Sequence, residues 1–134
     1  MIKTTNVYVL WRGYILLIQR TWKDKNLPSY WESPAGHVDI FCPKGDSQQS
    51  RQEALRELRE ETGIRASPKQ LVYLPSFSSR RHSSYLLNCT TTLPPKVTLS
   101  FEHDAFRWYS LVQPIPIKDI RFEVVRFIRS FRNA

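Results

Sequence analysis

Several function classes are excluded by what the chain lacks. Its 134 residues hold only two cysteines, Cys42 and Cys89, in unrelated contexts without metal-ligand spacing. That leaves no cysteine-based metal site and predicts free thiols in a reducing compartment. No serine, histidine and aspartate pattern marks a hydrolytic triad, and neither cysteine has the histidine neighbour of a nucleophile. Apolar runs are short: residues 14–18 fall far below the roughly 20 residues that span a bilayer. The first residues, Met-Ile-Lys-Thr-Thr, lead straight into an alternating segment with no charged-then-apolar leader, so the expected address is cytoplasmic with no membrane partner. Four glycines and no repeat leave little room for a disordered tract. The length rules out barrel enzymes of about 250 residues. A single domain over 1–134 is expected, able to bury roughly 65–70% of its unfolded surface.

Acid is also scarce. Twelve Asp and Glu stand against twenty Lys and Arg, a net charge of +8. Such an excess favours polyanionic partners, whether nucleotide polyphosphate or nucleic acid. The basic residues are spread from Lys3 to Arg132, which fits a soluble basic surface equally well.

What is present alternates between strand and helix signals. Residues 5–11 and 14–20 are rich in β-branched and aromatic types and are joined by Arg12-Gly13, the pattern of a hairpin. Loops are predicted over 21–30 and 37–47. From about Ser47 to Thr62 the residues are helix formers free of Gly and Pro, and Gly63 stands where a C-terminal cap belongs. Strands are predicted at 70–77, 84–92 and 104–111. A terminal helix over 119–132 carries an apolar stripe of Ile120, Val124, Phe127, Ile128 and Phe131. The expected class is α/β, a mixed sheet packed between helices.

The scarce acid is concentrated in one helix. At about 100° per residue, with Glu57 at zero, Glu60 falls near −60°, Glu61 near +40° and Glu53 near −40°, so four carboxylates share an arc of about 100°. Glu53 with Glu57, and Glu57 with Glu61, are like charges at i, i+4, each pair costing a few tenths of a kcal/mol. A solvated charged face would more often place Lys or Arg at one of those positions. A divalent cation removes the penalty, because hard ions such as Mg²⁺ take clustered carboxylate oxygens.

Residues 56–64, Arg-Glu-Leu-Arg-Glu-Glu-Thr-Gly-Ile, match R-E-U-x-E-E-x-G-U, with U aliphatic, at every fixed position. The chain thereby resembles the Nudix hydrolases, MutT-like pyrophosphohydrolases whose box this is. The first half of the box departs from the pattern. Pro34-Ala35-Gly36-His37-Val38-Asp39 looks like the family loop with Ala35 in place of the first glycine. The box glutamate should fall at position 48, where Gln48 stands, and 40–45 looks like an insertion. Gly45-Asp46-Ser47 resembles the family's Gly-Glu-Ser, two residues early for the helical register. Position 48 is expected to stay near the metal site, with Asp46 as the alternative. Glu102-His103-Asp104-Ala105-Phe106-Arg107-Trp108 is similar to a stretch of the dinucleoside tetraphosphate and dihydroneopterin triphosphate pyrophosphohydrolases.

The resemblance implies a Nudix-like α/β/α sandwich and hydrolysis of a P–O–P bond in a nucleoside di- or triphosphate derivative. Dinucleoside polyphosphates, RNA 5′ ends or a catalytically weak binding module are the alternatives. It implies Mg²⁺, or Mn²⁺, on Glu57, Glu60, Glu61 and the carbonyl of Ala35. Arg56 would orient a box glutamate, and Glu60 or Glu102 would take the proton of a metal-bound water. Besides these, Arg80 and Arg81 lie on a hydroxyl-rich turn that suits phosphate, and His37 follows the loop glycine. All three are candidates for substrate contact. RNA along the arginines of the last helix and a second copy of the chain complete the expected partners.

Overall fold

Alternation along the first hairpin decides which helix each face of the sheet receives. The computed structural model describes residues 3–38, 44–114 and 118–132. Strands β1 (Lys3–Trp11) and β2 (Tyr14–Arg20) are joined by Arg12 and Gly13, whose φ values of 46° and 83° give the doubly left-handed turn that matches strand twist. Val7 and Val9 of β1 and Leu16 and Ile18 of β2 bury on one face, against Ala54 and Leu58 of helix α1 (Gln48–Thr62). Tyr8 and Leu10, with Ile15 and Leu17, bury on the other, against Val124, Phe127 and Ile128 of helix α2 (Phe122–Arg132). Both faces are covered, so the strands are apolar throughout.

The remaining strands are β3 (Trp31–Glu32), β4 (Ala35–Val38), β5 (Leu71–Tyr73), β6 (His82–Cys89) and β7 (His103–Ser110). The main path of the seven-stranded sheet is β3-β2-β1-β6-β5, with β4 paired to β1 and β7 to β2. β1 and β6 run parallel and the other pairs antiparallel, which makes the sheet mixed. This is the expected α/β/α sandwich.

Several boundaries differ from expectation. The strand expected over 70–77 is three residues long, because Pro68 and Pro75 lack the amide that a ladder needs and each opens a short 3-10 turn. The strand expected at 84–92 runs from 82 to 89, and that at 104–111 from 103 to 110. Part of the expected 37–47 loop is strand, since β4 pairs Ala35–Val38 with Lys3–Asn6. The last helix starts at Phe122 rather than 119. Asp119 has a φ of 66°, and Ile120 bridges to Trp31 outside the helix. Cys89 is a free thiol, while Cys42 and most of the 40–45 segment lie outside the described residues. Among the described residues no helix is long and apolar enough to cross a membrane.

Candidate active site

Helix α1 is fixed at both ends, and that sets the direction of its carboxylates. Ser47 caps it, its Oγ accepting from the Ser50 N–H at 3.0 Å. Gly63, at φ 75°, ends it by donating to the Arg59 carbonyl at 2.8 Å. Lys3 ties the start to β1, donating to Ser50 Oγ at 2.8 Å and the Gly45 carbonyl at 3.0 Å. With Ala54 and Leu58 against the sheet, Glu57, Glu60 and Glu61 face a cleft of about 670 Å³. Its floor comes from Ala35, Gly36 and His37 of β4, Thr4 and Thr5 of β1 and His82 of β6. Glu102, just before β7, adds a fourth carboxylate. Arg20, Asp24, Glu32, His103 and Arg121 form the opposite wall.

Two close approaches seat the acids. Glu61 is only 6% exposed, and its Oε1 accepts from the Ala35 N–H at 2.8 Å. Gly36 is needed beside Glu57, since a Cβ there would overlap the Cγ and Cδ of that side chain. Arg56 gathers the outer carboxylates, donating to Glu53, to Glu57 at 2.8 Å and to both oxygens of Glu60 at 2.8 and 3.0 Å. These bonds, Glu53 foremost, hold its guanidinium charged.

Crowding makes these acids hungry for a cation. Burial pushes the Glu61 carboxyl up to about 9, against the opposing Ala35 N–H and reinforced by the charges of Glu57, Glu32 and Glu102. Glu57 is raised too, by burial first, with Arg56 opposing and Glu60, Glu53 and Glu102 adding repulsion. Among the described residues no three His, Cys, Asp or Glu side chains form a ready coordination sphere, because Glu57 and Glu60 turn to Arg56 and Glu61 to the Ala35 amide. The donor chemistry nevertheless fits a hard divalent ion: clustered carboxylates, one of them, Glu61, buried with no ion pair among the described residues.

The structure thus brings together Glu57, Glu60, Glu61, Glu102, Ala35 and His37 around one cleft, with Arg56 bracing them. Arg80 and Arg81 do not join them. Both are exposed on the turn before β6, and the Arg81 carbonyl accepts from the Thr4 N–H.

Position 48 is a correction. Gln48 is the exposed first residue of α1 and lines no part of the cleft. Nine residues of helix put it about 13 Å along the axis from Glu57 and about 180° around it. Asp46 does not replace it. Its carboxylate is taken by Arg51, at 2.7 and 2.9 Å, and by the Tyr85 hydroxyl at 3.1 Å, and Arg51 holds it below the usual carboxylate range.

Sequence reasoning gave no cleft role to Arg20, Glu32, His82 or His103, and set Arg121 only among the arginines that could meet RNA. Glu102-His103 opens a segment that resembles the family, which is the one signal that points to His103. Arg121 had none.

Comparison with known proteins follows the same lines. A NUDIX domain family model matches residues 3–131. The bis(5'-nucleosyl)-tetraphosphatases [asymmetrical] of Rattus norvegicus and Mus musculus are each 36% identical over 93 residues, 61% of this chain. That match spans 56% of those proteins' length. A C. elegans Ap4A hydrolase binary complex superposes with a TM-score of 0.67 at 25% identity, covering 98% of this chain and 96% of that one. A MutT protein from Methanosarcina mazei Go1 gives 0.68 at 20% identity, covering 98% and 93%, a likeness of fold. On its box, its sandwich and the match over nearly its whole length, the chain belongs to the Nudix domain family.

Proposed function

We propose that the chain is a divalent-metal-dependent pyrophosphohydrolase that opens a P–O–P bond of a nucleoside polyphosphate derivative. The observation that carries this reading is the set of three box glutamates turned into one cleft that Arg20 and Arg121 also line. Glu57, Glu60, Glu61 and the Ala35 carbonyl would hold Mg²⁺ or Mn²⁺. When bound, the ion supplies charge for the phosphates and lowers the pKa of a coordinated water.

The protein's own groups do the rest. Arg56 keeps Glu57 and Glu60 in place through its fork. Glu60 has both oxygens on Arg56, whereas the Glu102 carboxylate has no ion pair among the described residues, so Glu102 takes the proton of the attacking water. Water adds to one phosphorus, the bridging oxygen leaves with the other phosphate, and Glu102 passes the proton on. The dominant basic charge of +8 draws the anionic substrate toward the molecule.

A specific observation favours dinucleoside polyphosphates among the candidate substrates. An apolar cavity of about 470 Å³, built by Tyr30, Phe122 and Val125, adjoins the cleft and shares Leu27 and Arg121 with it. It offers room for a second base beyond the phosphates, in keeping with the names of the rat, mouse and worm relatives.

The test is a panel of nucleoside triphosphates, a nucleoside diphosphate sugar, dinucleoside tetraphosphate and 5′-triphosphorylated RNA with Mg²⁺, followed by phosphate or nucleotide release. Turnover of at least one class is expected. Glu57→Gln or Glu61→Gln should lower it at least about tenfold, about 1.4 kcal/mol of barrier, with the circular dichroism spectrum unchanged. Wild-type rates in both variants at saturating Mg²⁺ would end the catalytic reading.

A further inference from the structure

The wall facing the carboxylate helix is organised around an acid of its own. Glu32, on β3, accepts from Arg20 Nη1 at 3.1 Å and from His103 Nε2 at 3.0 Å, and Arg121 Nη1 stands 3.9 Å away. Those three partners come from the end of β2, the start of β7 and the approach to α2, so one side chain joins four segments of chain. Arg20 also holds Asp24 at 2.8 Å, and Arg121 holds Glu123 at 3.1 Å.

Glu32 also adds its negative charge to the repulsion on Glu61. Its return is geometric: two guanidinium groups are kept on one wall, facing the acids across the cleft. The cleft is also short of partners. Among the described residues three side-chain polar atoms are buried with none, Thr5 Oγ1, Arg20 Nε and His103 Nδ1, and all three belong to residues lining this cleft. Arg20 Nε is a buried donor without an acceptor, which is costly, and the guanidinium groups of Arg20 and Arg121 line the cleft, where their N–H groups can meet a ligand's oxygens.

We infer that Arg20 and Arg121, positioned by Glu32, form a second phosphate-binding wall that grips the phosphates farther from the metal and so selects substrates by phosphate-chain length. A phosphate chain lying across the cleft then meets cations on both sides: metal at the carboxylate helix and guanidinium forks at the far wall. A monophosphate can touch one wall, while a tri- or tetraphosphate reaches both. Arg121 is the specificity-determining group, since it also borders the adjoining apolar cavity. Glu32 is a positioning residue. This inference rests on the reading that the cleft takes a phosphate chain, and binding rather than turnover tests it.

The experiment measures calorimetric affinity, with Mg²⁺, for a non-hydrolysable nucleoside imidotriphosphate and for the matching nucleoside monophosphate. Proteins compared are wild type, Arg121→Ala, Arg121→Lys, Glu32→Gln and, as a control, Arg65→Ala, an exposed residue that does not line the cleft. Arg121→Ala should weaken the triphosphate analogue about tenfold or more and the monophosphate less than about threefold. Arg121→Lys should recover part of the loss, and Arg65→Ala should match wild type. Glu32→Gln should act in the same direction as Arg121→Ala, with its fold checked by circular dichroism. Equal weakening of both ligands by Arg121→Ala, or no weakening, overturns the wall. Tighter triphosphate binding in Glu32→Gln overturns the positioning role, because Glu32 would then only neutralise the arginines. Length-selective binding without turnover of any panel substrate would leave the wall standing and remove the proposed activity.

Discussion

Glu61 is the residue in which burial, charge and chemistry meet. Its ordinary value of 4.5 is pushed up to about 9, by burial first. A carboxyl whose folded value lies above its unfolded one holds its proton more tightly in the native state. In metal-free protein its contribution is therefore most favourable below about 4.5 and is lost as the pH rises through 9. In EDTA, the melting temperature of the wild type should fall between pH 5 and 9 more steeply than that of Glu61→Gln, which has no proton to lose there. Parallel thermal melts across that range check it, and equal slopes would mean that the site is hydrated and Glu61 titrates normally. Mg²⁺ should flatten the wild-type slope, since the cation takes the place of the proton.

At the scale of the element, α1 is the most legible part of the chain, because its signals are local. Ser47 and Gly63 mark both ends, and the i, i+4 glutamates are visible without any tertiary knowledge. Its start is not legible in the same way, since family spacing alone puts Gln48 near the metal. Asp46 and Arg51 instead lock that end onto Tyr85 and the carbonyls of Pro68 and Leu71. Gln48→Glu and Asp46→Asn should both leave the Mg²⁺ dependence of turnover unchanged. Asp46→Asn should cost about 0.5–1 kcal/mol of stability through the weakened ion pair. A shifted Mg²⁺ half-saturation in either variant would put that position back at the metal. Strand β4 was hidden for the opposite reason: Ala-Gly-His-Val has no alternation, and its partner, β1, lies some thirty residues earlier. The guanidinium wall was hidden more deeply still. Its members run from Arg20 to Arg121 and share no period, and only the folding of β2, β3 and β7 around Glu32 brings them together.

Over the whole molecule, a chain with a net charge of +8 concentrates much of its scarce acid in one cleft. That distribution makes the native state carry strain that a cation relieves. Glu57 and Glu61 are both raised by burial and by one another's neighbours, and the unfolded chain, with the same residues spread apart, has no such crowding. A metal that binds only the folded form adds RT ln(1 + [L]/Kd), about 2.7 kcal/mol at a hundred times Kd. For a domain of this size that corresponds to a rise of roughly 3–5 °C in melting temperature per kcal/mol. Mg²⁺ or Mn²⁺ at millimolar concentration should therefore raise the melting temperature over EDTA by several degrees, and NaCl of equal ionic strength should not. The rise should shrink in Glu57→Gln and Glu61→Gln and survive in Arg121→Ala, because the guanidinium wall takes phosphate rather than metal. An equal response to NaCl would make the acidic face an ordinary screened surface, with the like-charge pairs relieved by salt alone.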